Sequence, residues 1–383
     1  MGMKGKSVVV VCLFICSLTL GAAWTTKKIT NNTGYVEYKL PDIALNGLNA
    51  YVVFSGFLDG YPWGYNISFQ KSLDGGATWK AAKGITSKEV TEQDELYRPE
   101  IAVSGSFVYV VWADNMGNDE IYFRKSADSG GYWQATKMLT NNPGRSTNPS
   151  IAVSGSNVYV VWYDRTPGNA EIYLRKSSDG GTTWQTAQRL TNNAGDSYDP
   201  GIAVSGSNVY VVWYDYSTGN SEIYFRKSAD GGTTWQSAKR LSSNAGESTY
   251  PRIAASGSSV FVVWSDMTSG DNEIYFRKSA DSGVTWQTCK WITNNAGSSE
   301  VPEIAISGSN VYMVWMDNTP GNYEIYFKKS ADGGTTWQTA QRLTNNAGKS
   351  TSPRVAVNAS NVYVVWSDTI ANITSIYLAY SPL

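Results

Sequence analysis

The sequence contains no histidine, and that absence closes off more chemistry than any other feature of its 383 residues. A Ser-His-Asp triad is excluded, as is any zinc, haem or non-haem iron centre held by imidazole. Cysteine is nearly as scarce, with three in the chain. Two of them, Cys12 and Cys16, fall in the first two dozen residues, so beyond that segment Cys289 stands alone and no intrachain disulfide can form. Charge is sparse too: Asp, Glu, Lys and Arg make up 16% of the chain and balance to −1. No basic surface is on offer to a phosphate backbone, which excludes a nucleic-acid partner. What the chain has instead is 36 Gly, 15 Trp and 25 Tyr, a composition suited to short strands and tight turns.

The start of the chain reads as a unit apart. Lys4 and Lys6 precede an apolar run from Ser7 to Leu20, too short to span a bilayer comfortably. Gly21-Ala22-Ala23 then supplies small residues for a signal peptidase. This predicts a signal peptide over 1–23 and an exported chain over 24–383, with no transmembrane segment after cleavage. The final compartment (periplasm, cell surface or medium) and the oligomeric state stay open.

The rest is a tandem array. Trp24, Trp79, Trp133, Trp184, Trp235, Trp286 and Trp337 recur at spacings of 55, 54 and then 51 throughout. Phe54, Trp112, Trp162, Trp213, Trp264, Trp315 and Trp366 form a second register that also counts seven. Residues 149–190 show the unit: strands are predicted at Pro149–Ser154, Val158–Trp162, Glu171–Lys176 and Thr183–Leu190, separated by turns rich in Gly, Asn and Ser. Runs such as Val-Tyr-Val-Val-Trp are apolar on both faces, as expected of a small sheet sandwiched between neighbours. Radial repetition of such sheets makes an all-β fold, a seven-bladed β-propeller of four-stranded antiparallel blades. The last repeat stops at Leu383 without a fourth strand, whereas Trp24–Asn32 matches Trp337–Asn345 in register. The N-terminal strand is therefore expected to complete the last blade, and 24–383 reads as a single domain. Cys289 occupies the place of Ala135, Ala187, Ala238 and Ala340 in other repeats and is expected to be a small buried residue.

Ser72-Leu73-Asp74-Gly75-Gly76-Ala77-Thr78-Trp79 resembles the Asp-box of the bacterial neuraminidase (BNR) repeat family, and similar segments begin at Ser126, Ser177, Ser228, Ser279 and Ser330. The resemblance covers essentially the whole array. It implies a sialidase-like propeller in which Asp74, Asp128, Asp179, Asp230, Asp281 and Asp332 are structural turn residues away from any active site. Local turn chemistry agrees, since an Asp carboxylate readily accepts nearby backbone and hydroxyl donors. For an enzyme of this family, the resemblance implies three arginines on a substrate carboxylate, a Tyr–Glu nucleophile and an Asp acid. Tyr97-Arg98-Pro99 approximates the family's F/Y-R-I-P segment but lacks its Ile, and enzymes of the family usually have six blades where seven are counted here.

A single site has to break the repeat. The residue after the Pro that opens each first strand does so, running Asp42, Glu100, Ser150, Gly201, Arg252, Glu303 and Arg354. On a propeller this strand lines the central channel, and Arg252, Glu303, Arg354 and Asp42 alternate in sign across the closing blades. They make either an ion-pair belt or a ligand site; Arg98 and Tyr250 lie beside them in sequence. The repeated carboxylate pairs Asp114/Glu120, Asp164/Glu171, Asp215/Glu222, Asp266/Glu273 and Asp317/Glu324 flank a hairpin. They are assigned to local hydrogen bonds and to Arg124, Arg175, Arg226, Arg277 or Lys328 on the third strand, in preference to calcium, so no metal or cofactor is expected. Blade 1 diverges most, with Asp59, Tyr61, Trp63 and Tyr65 in its hairpin and Glu89, Glu92, Asp94 and Glu95 in the connection that follows, residues suited to stacking on a sugar. The expected function is that of an exported, lectin-like protein binding glycans or a surface polysaccharide. A sialidase-type glycosidase and a structural cell-envelope protein are the alternatives.

Overall fold

The computed structural model describes residues 23–30, 37–57, 65–86, 98–115 and 118–383. The expected signal peptide over 1–23, apart from Ala23, lies outside these residues, as do Tyr61, Trp63 and the acidic connection of blade 1. All secondary structure in the described residues is strand, arranged as seven four-stranded antiparallel sheets. Blade 4 is representative, with strands Ser197–Ser205, Asn208–Asp215, Glu222–Ser228 and Lys239–Arg240 in that spatial order. The first strands of successive blades pack side by side in a closed cycle, with blade 7 against blade 1, and so surround the central channel.

Blade 7 is assembled from both ends of the chain. Its sheet runs Thr25–Lys28, Ile373–Pro382, Asn361–Ile370, Lys349–Val357, and Thr25 pairs with Tyr380. The N-terminal strand is the outermost of this blade and completes the ring.

The second strand carries the core because its alternating side chains bury on opposite faces. Tyr159 and Val161 face blade 4, joining Ile202, Val209, Val211 and Trp213 there, whereas Val158, Val160 and Trp162 face blade 2. Every blade therefore shares a hydrophobic layer with each neighbour. Two strand bounds differ from expectation. The first strand of blade 3 begins three residues earlier, at Ser146, and the fourth shrinks from Thr183–Leu190 to the pair Gln188–Arg189. The early start passes through a bulge that breaks the register between Thr147 and Ser150, and the same bulge recurs in blades 1, 4, 5, 6 and 7. At each bulge the residue before Pro has positive φ: Leu40, Asn148, Asp199, Tyr250, Val301 and Ser352, all near +50°. This backbone is costly for side chains other than Gly.

Neighbouring blades are latched at the rim by the Ser-x-Asp turns. In blade 4 the Ser228 hydroxyl donates to Asp230 Oδ1 (2.7 Å) and accepts the Gly232 amide (2.8 Å). Asp230 also accepts the Thr234 amide at 2.9 Å and its hydroxyl at 2.6 Å. Lys176 of blade 3 then donates to the Gly231 carbonyl of this turn at 2.7 Å, and Lys125 does the same to Gly180 one blade earlier. Close packing explains the glycines. A Cβ on Gly181, where φ is +75°, would stand 2.4 Å from the Phe123 ring of the preceding blade.

Candidate functional site

The turn carboxylates Asp74, Asp128, Asp179, Asp230, Asp281 and Asp332 are spent on hydrogen bonds within their own turns. Asp74 is lowered to about 2, first by the Thr78 hydroxyl and then by the Thr78 amide and Ser72. The other five are lowered by the same kind of donors. These are carboxylates held firmly ionised by donors the turn itself provides.

The repeated hairpin pairs are satisfied locally as well, but not by the partners expected. Asp164 accepts the Ser146 hydroxyl (2.8 Å), Asn142 (2.7 Å) and the Thr166 amide (2.8 Å). Glu171 pairs with Arg189 at 2.7 Å, and Glu222 and Glu324 pair with Arg240 and Arg342 in the same way. The cation thus comes from the fourth strand, not the third. Four residues along one strand separate Glu171 from Arg175 by about 13 Å, whereas an adjacent strand brings a long side chain within reach. Arg175 turns instead to the Gln185 carbonyl (2.7 Å) and to the Leu139 carbonyl of blade 2. Among the described residues no group of three or more His, Cys, Asp or Glu side chains is placed to hold a metal ion.

The variable positions after the opening Pro in blades 5, 6, 7 and 1 are joined by ion pairs. Glu303 accepts from Arg252 at 2.7 Å and from Arg354 at 2.6 Å, linking blades 5, 6 and 7. Arg354 also stands 3.5 Å from Asp42 of blade 1, and Asp42 accepts the Ile101 amide of blade 2 at 2.8 Å. Glu100 accepts the Ile151 amide of blade 3 at 3.2 Å. Asp199, on the bulge of blade 4, closes the circuit by accepting from Arg252 (3.1 Å) and Arg98 (3.4 Å). Arg98 belongs to blade 2, yet its side chain meets Asp199 of blade 4 and lies 6.0 Å over the Tyr250 ring of blade 5.

Burial pushes Asp42 up to about 7, with Arg354 pulling against it and Glu100 and Glu303 adding to the rise. Glu100 is raised chiefly by burial too, despite Arg354 and Arg252. At Asp199 the balance reverses: burial opposes ionisation, but Arg252 and Arg98 outweigh it and the carboxyl is lowered. Arg252 is held firmly protonated by Asp199, Glu303 and Glu100 in spite of its burial. Asp199 was not singled out in the sequence. It shares with Tyr250 the position before the strand-opening Pro, and reading that position as a second variable ring would have exposed it.

A further kind of cavity lies between blades. The cleft between blades 2 and 3 has a volume of about 360 Å³ and is lined by Trp162, Tyr173, Arg175, Asp164, Asn141 and Asn142, among others. Tyr173 stacks on Trp162 with centroids 6.0 Å apart, and the same pair recurs as Trp213–Tyr224, Trp264–Tyr275 and Trp315–Tyr326. Cys289 sits at the corresponding place beside Tyr275, half-buried against the layer shared by blades 4 and 5, and burial pushes its thiol up to about 12.

The chain matches the BNR repeat-like domain over residues 52–263, more than half its length. It belongs to the BNR repeat-like family. No curated protein sequence matches this BNR repeat-like chain. Among solved structures it is similar to a polysaccharide lyase, the PL25 ulvan lyase bound to -[GlcA(1-4)Rha3S]-, with a TM-score of 0.66 and 10% identity, covering 91% of this chain and 94% of that one. It is also similar to the endosialidase of phage phi92, with a TM-score of 0.56 and 11% identity, covering 94% and 69%. Trypanosoma rangeli sialidase in complex with the inhibitor DANA gives a TM-score of 0.50 and 12% identity, covering 74% and 54%. At these identities the similarity speaks for the fold alone. Among the described residues no helix is long and apolar enough to cross a membrane.

Proposed function

We propose that this BNR repeat-like propeller is an exported glycan-binding protein, released from its 1–23 leader, that holds a surface polysaccharide or other glycan without cleaving it. The carrying observation is the cleft between blades 2 and 3, where the half-buried Tyr173 lies on the buried Trp162 beside amide and carboxylate groups, together with the recurrence of that Trp–Tyr pair in blades 4, 5 and 6. Aromatic bodies flanked by a few fixed polar groups suit sugar recognition, and several weak copies on one ring add through effective concentration. The channel belt contributes rigidity and the floor of the mouth.

The commitment of the arginines supports binding over turnover. A sialidase-type site needs Arg98, Arg252 and Arg354 free to converge on one substrate carboxylate. Here Arg98 and Arg252 meet on the internal Asp199, and Arg252 and Arg354 meet on the internal Glu303. The test is to pass the chain from Trp24 onward over an immobilised glycan array, scoring retained protein and glycan mass together. Retention at unchanged mass is the expected outcome. Loss of a terminal acidic sugar overturns the reading in favour of a hydrolase, and absence of both overturns it in favour of a structural role.

A further inference from the structure

The inter-blade clefts repeat, but one aromatic cluster beside the channel mouth does not. Tyr163 of blade 3 and Tyr198 of blade 4 meet edge to face with centroids 5.0 Å apart. Tyr198 also lies 5.6 Å from Tyr214 and 6.4 Å from Tyr216, which are 6.0 Å from each other. All four rings are partly exposed. Arg165 lies 5.5 Å over the Tyr198 ring and donates to its hydroxyl, which in turn donates to Asp196 at 2.9 Å.

Ring closure does not require aromatics here. The position of Tyr198 holds Lys39, Thr147, Thr249, Glu300 and Thr351 in blades 1, 3, 5, 6 and 7 and Tyr97 in blade 2, and that of Tyr216 holds Phe57 in blade 1 and Asn115, Arg165, Met267, Asn318 and Thr369 in the others. The layers joining blades 5, 6 and 7 form without them. Partly exposed tyrosines present an apolar face together with a hydroxyl, which matches the C–H face and hydroxyl rim of a pyranose. The charges nearby select among sugars. Arg165 has Asp196 at 3.7 Å, Arg98 has Asp199 and Arg145 has Asp119, while Glu247 lies exposed at the position equivalent to Asp196. No cation in this set is left over to neutralise an acidic sugar.

We propose that the cluster of Tyr163, Tyr198, Tyr214 and Tyr216 is a single, non-repeated binding site for a neutral glycan, whose pyranose rings stack on Tyr198 and Tyr216. This rests on the reading of the chain as a glycan-binding protein and adds to the clefts one distinct site with its own sugar class. Burial pushes the Tyr198 hydroxyl up to about 12, with the Asp196 hydrogen bond adding to the rise, so the phenol remains a donor at ordinary pH.

The test is isothermal titration of the chain from Trp24 onward with cellohexaose, chitohexaose and mannohexaose as neutral probes and α2,3-sialyllactose and trigalacturonate as acidic ones. The wild type is compared with Tyr198→Ala, Tyr216→Ala, Tyr216→Phe and the rim variant Tyr132→Ala, each checked for an intact thermal transition. A neutral hexaose should bind best, and the Tyr198→Ala and Tyr216→Ala variants should each weaken it about tenfold, the equivalent of one lost aromatic contact. Tyr216→Phe, which keeps the ring, and Tyr132→Ala, which removes an exposed tyrosine of the blade 2 rim turn outside both the cluster and the clefts, should retain it. If an Ala variant loses its thermal transition, protection of the cluster's tyrosine resonances by the hexaose in the wild type takes its place, and absence of that protection counts against the site. A neutral hexaose bound equally by the wild type and both Ala variants, or a preference for the acidic probes, overturns the site while leaving glycan binding standing. Failure of the wild type to bind any probe, with an empty glycan array, overturns both.

Discussion

The rim and the channel of this propeller are built from the same repeat and use carboxylates in opposite ways. At the rim, six Ser-x-Asp turns make nearly the same hydrogen bonds six times, and each Asp is held ionised by donors three or four residues away. At the channel, no two adjacent blades carry the same side chain after the opening Pro, and Asp42 and Glu100 are largely desolvated, which disfavours their ionisation. The rim therefore fails one turn at a time, whereas a change in the channel is felt across several blades. A motif copied around a ring speaks of how the ring is held together, and positions that depart from the copy show where the blades have been made to differ.

The largest expected effect tests the shared character of the channel. Arg252→Ala removes a guanidinium that serves Asp199 and Glu303 in two neighbouring blades, leaving both carboxylates poorly paired, and should cost about 3–5 kcal/mol in denaturant unfolding. Arg98→Ala, which removes a more exposed partner from Asp199, should cost about 1 kcal/mol or less. Equal losses for the two would mean that the belt is not a connected unit.

A rim substitution should come next in size. Ser228→Ala strips the buried Gly232 amide of its acceptor and should cost about 1–3 kcal/mol. Because the turn is one of six similar latches, Ser177→Ala should have a closely matching effect, and the double variant should show the sum of the two within error in urea titrations. A double effect well beyond the sum would give the rim the cooperativity here assigned to the channel.

The smallest and sharpest contrast is in pH dependence. Asp42 keeps its proton up to about pH 7 when folded and loses it near 4 when unfolded, so its contribution favours the fold below pH 4 and is withdrawn as pH rises to 7. Asp42→Asn should therefore match the wild type in thermal melts at about pH 3 and gain on it at about pH 8. Asp74 behaves in the reverse sense, its contribution being present above pH 4 and lost as pH falls towards 2. If Asp42→Asn tracks the wild type from acid to alkaline pH, the two regions do not differ in the way described.

Much of the architecture was legible in the sequence, and for a physical reason. A constant spacing of 51 between tryptophans, with apolar residues at consecutive positions, leaves few arrangements other than sheets stacked face to face in a closed array. The match of Trp24–Asn32 to Trp337–Asn345 likewise pointed to the pairing of Thr25–Lys28 with Ile373–Pro382. The site was legible only in part. Arg252, Glu303, Arg354 and Asp42 stood out because their charges vary while their surroundings do not. Asp199 was missed because its role depends on a left-handed backbone before a Pro, a conformation no local propensity announces. The tyrosine cluster was missed because it gathers strand ends from blades 3 and 4, whose approach follows from the bulges and the ring rather than from adjacency along the chain.

The clasp in blade 7 has a temporal consequence. In six sheets every strand is a sequence neighbour of the strand beside it, so each can form as soon as its own stretch of chain exists. The seventh joins Thr25–Lys28 to Ile373–Pro382 and must wait until both segments are available. Bringing distant segments together adds little extra entropy cost, since that cost grows only with the logarithm of the loop, but it places the event last in folding. Until then the array has an unfinished sheet at one end and two uncovered apolar blade faces, one on blade 7 and one on blade 1. The arrival of Ile373–Pro382 beside Thr25–Lys28 therefore sets when this molecule stops being an open strip and becomes a ring.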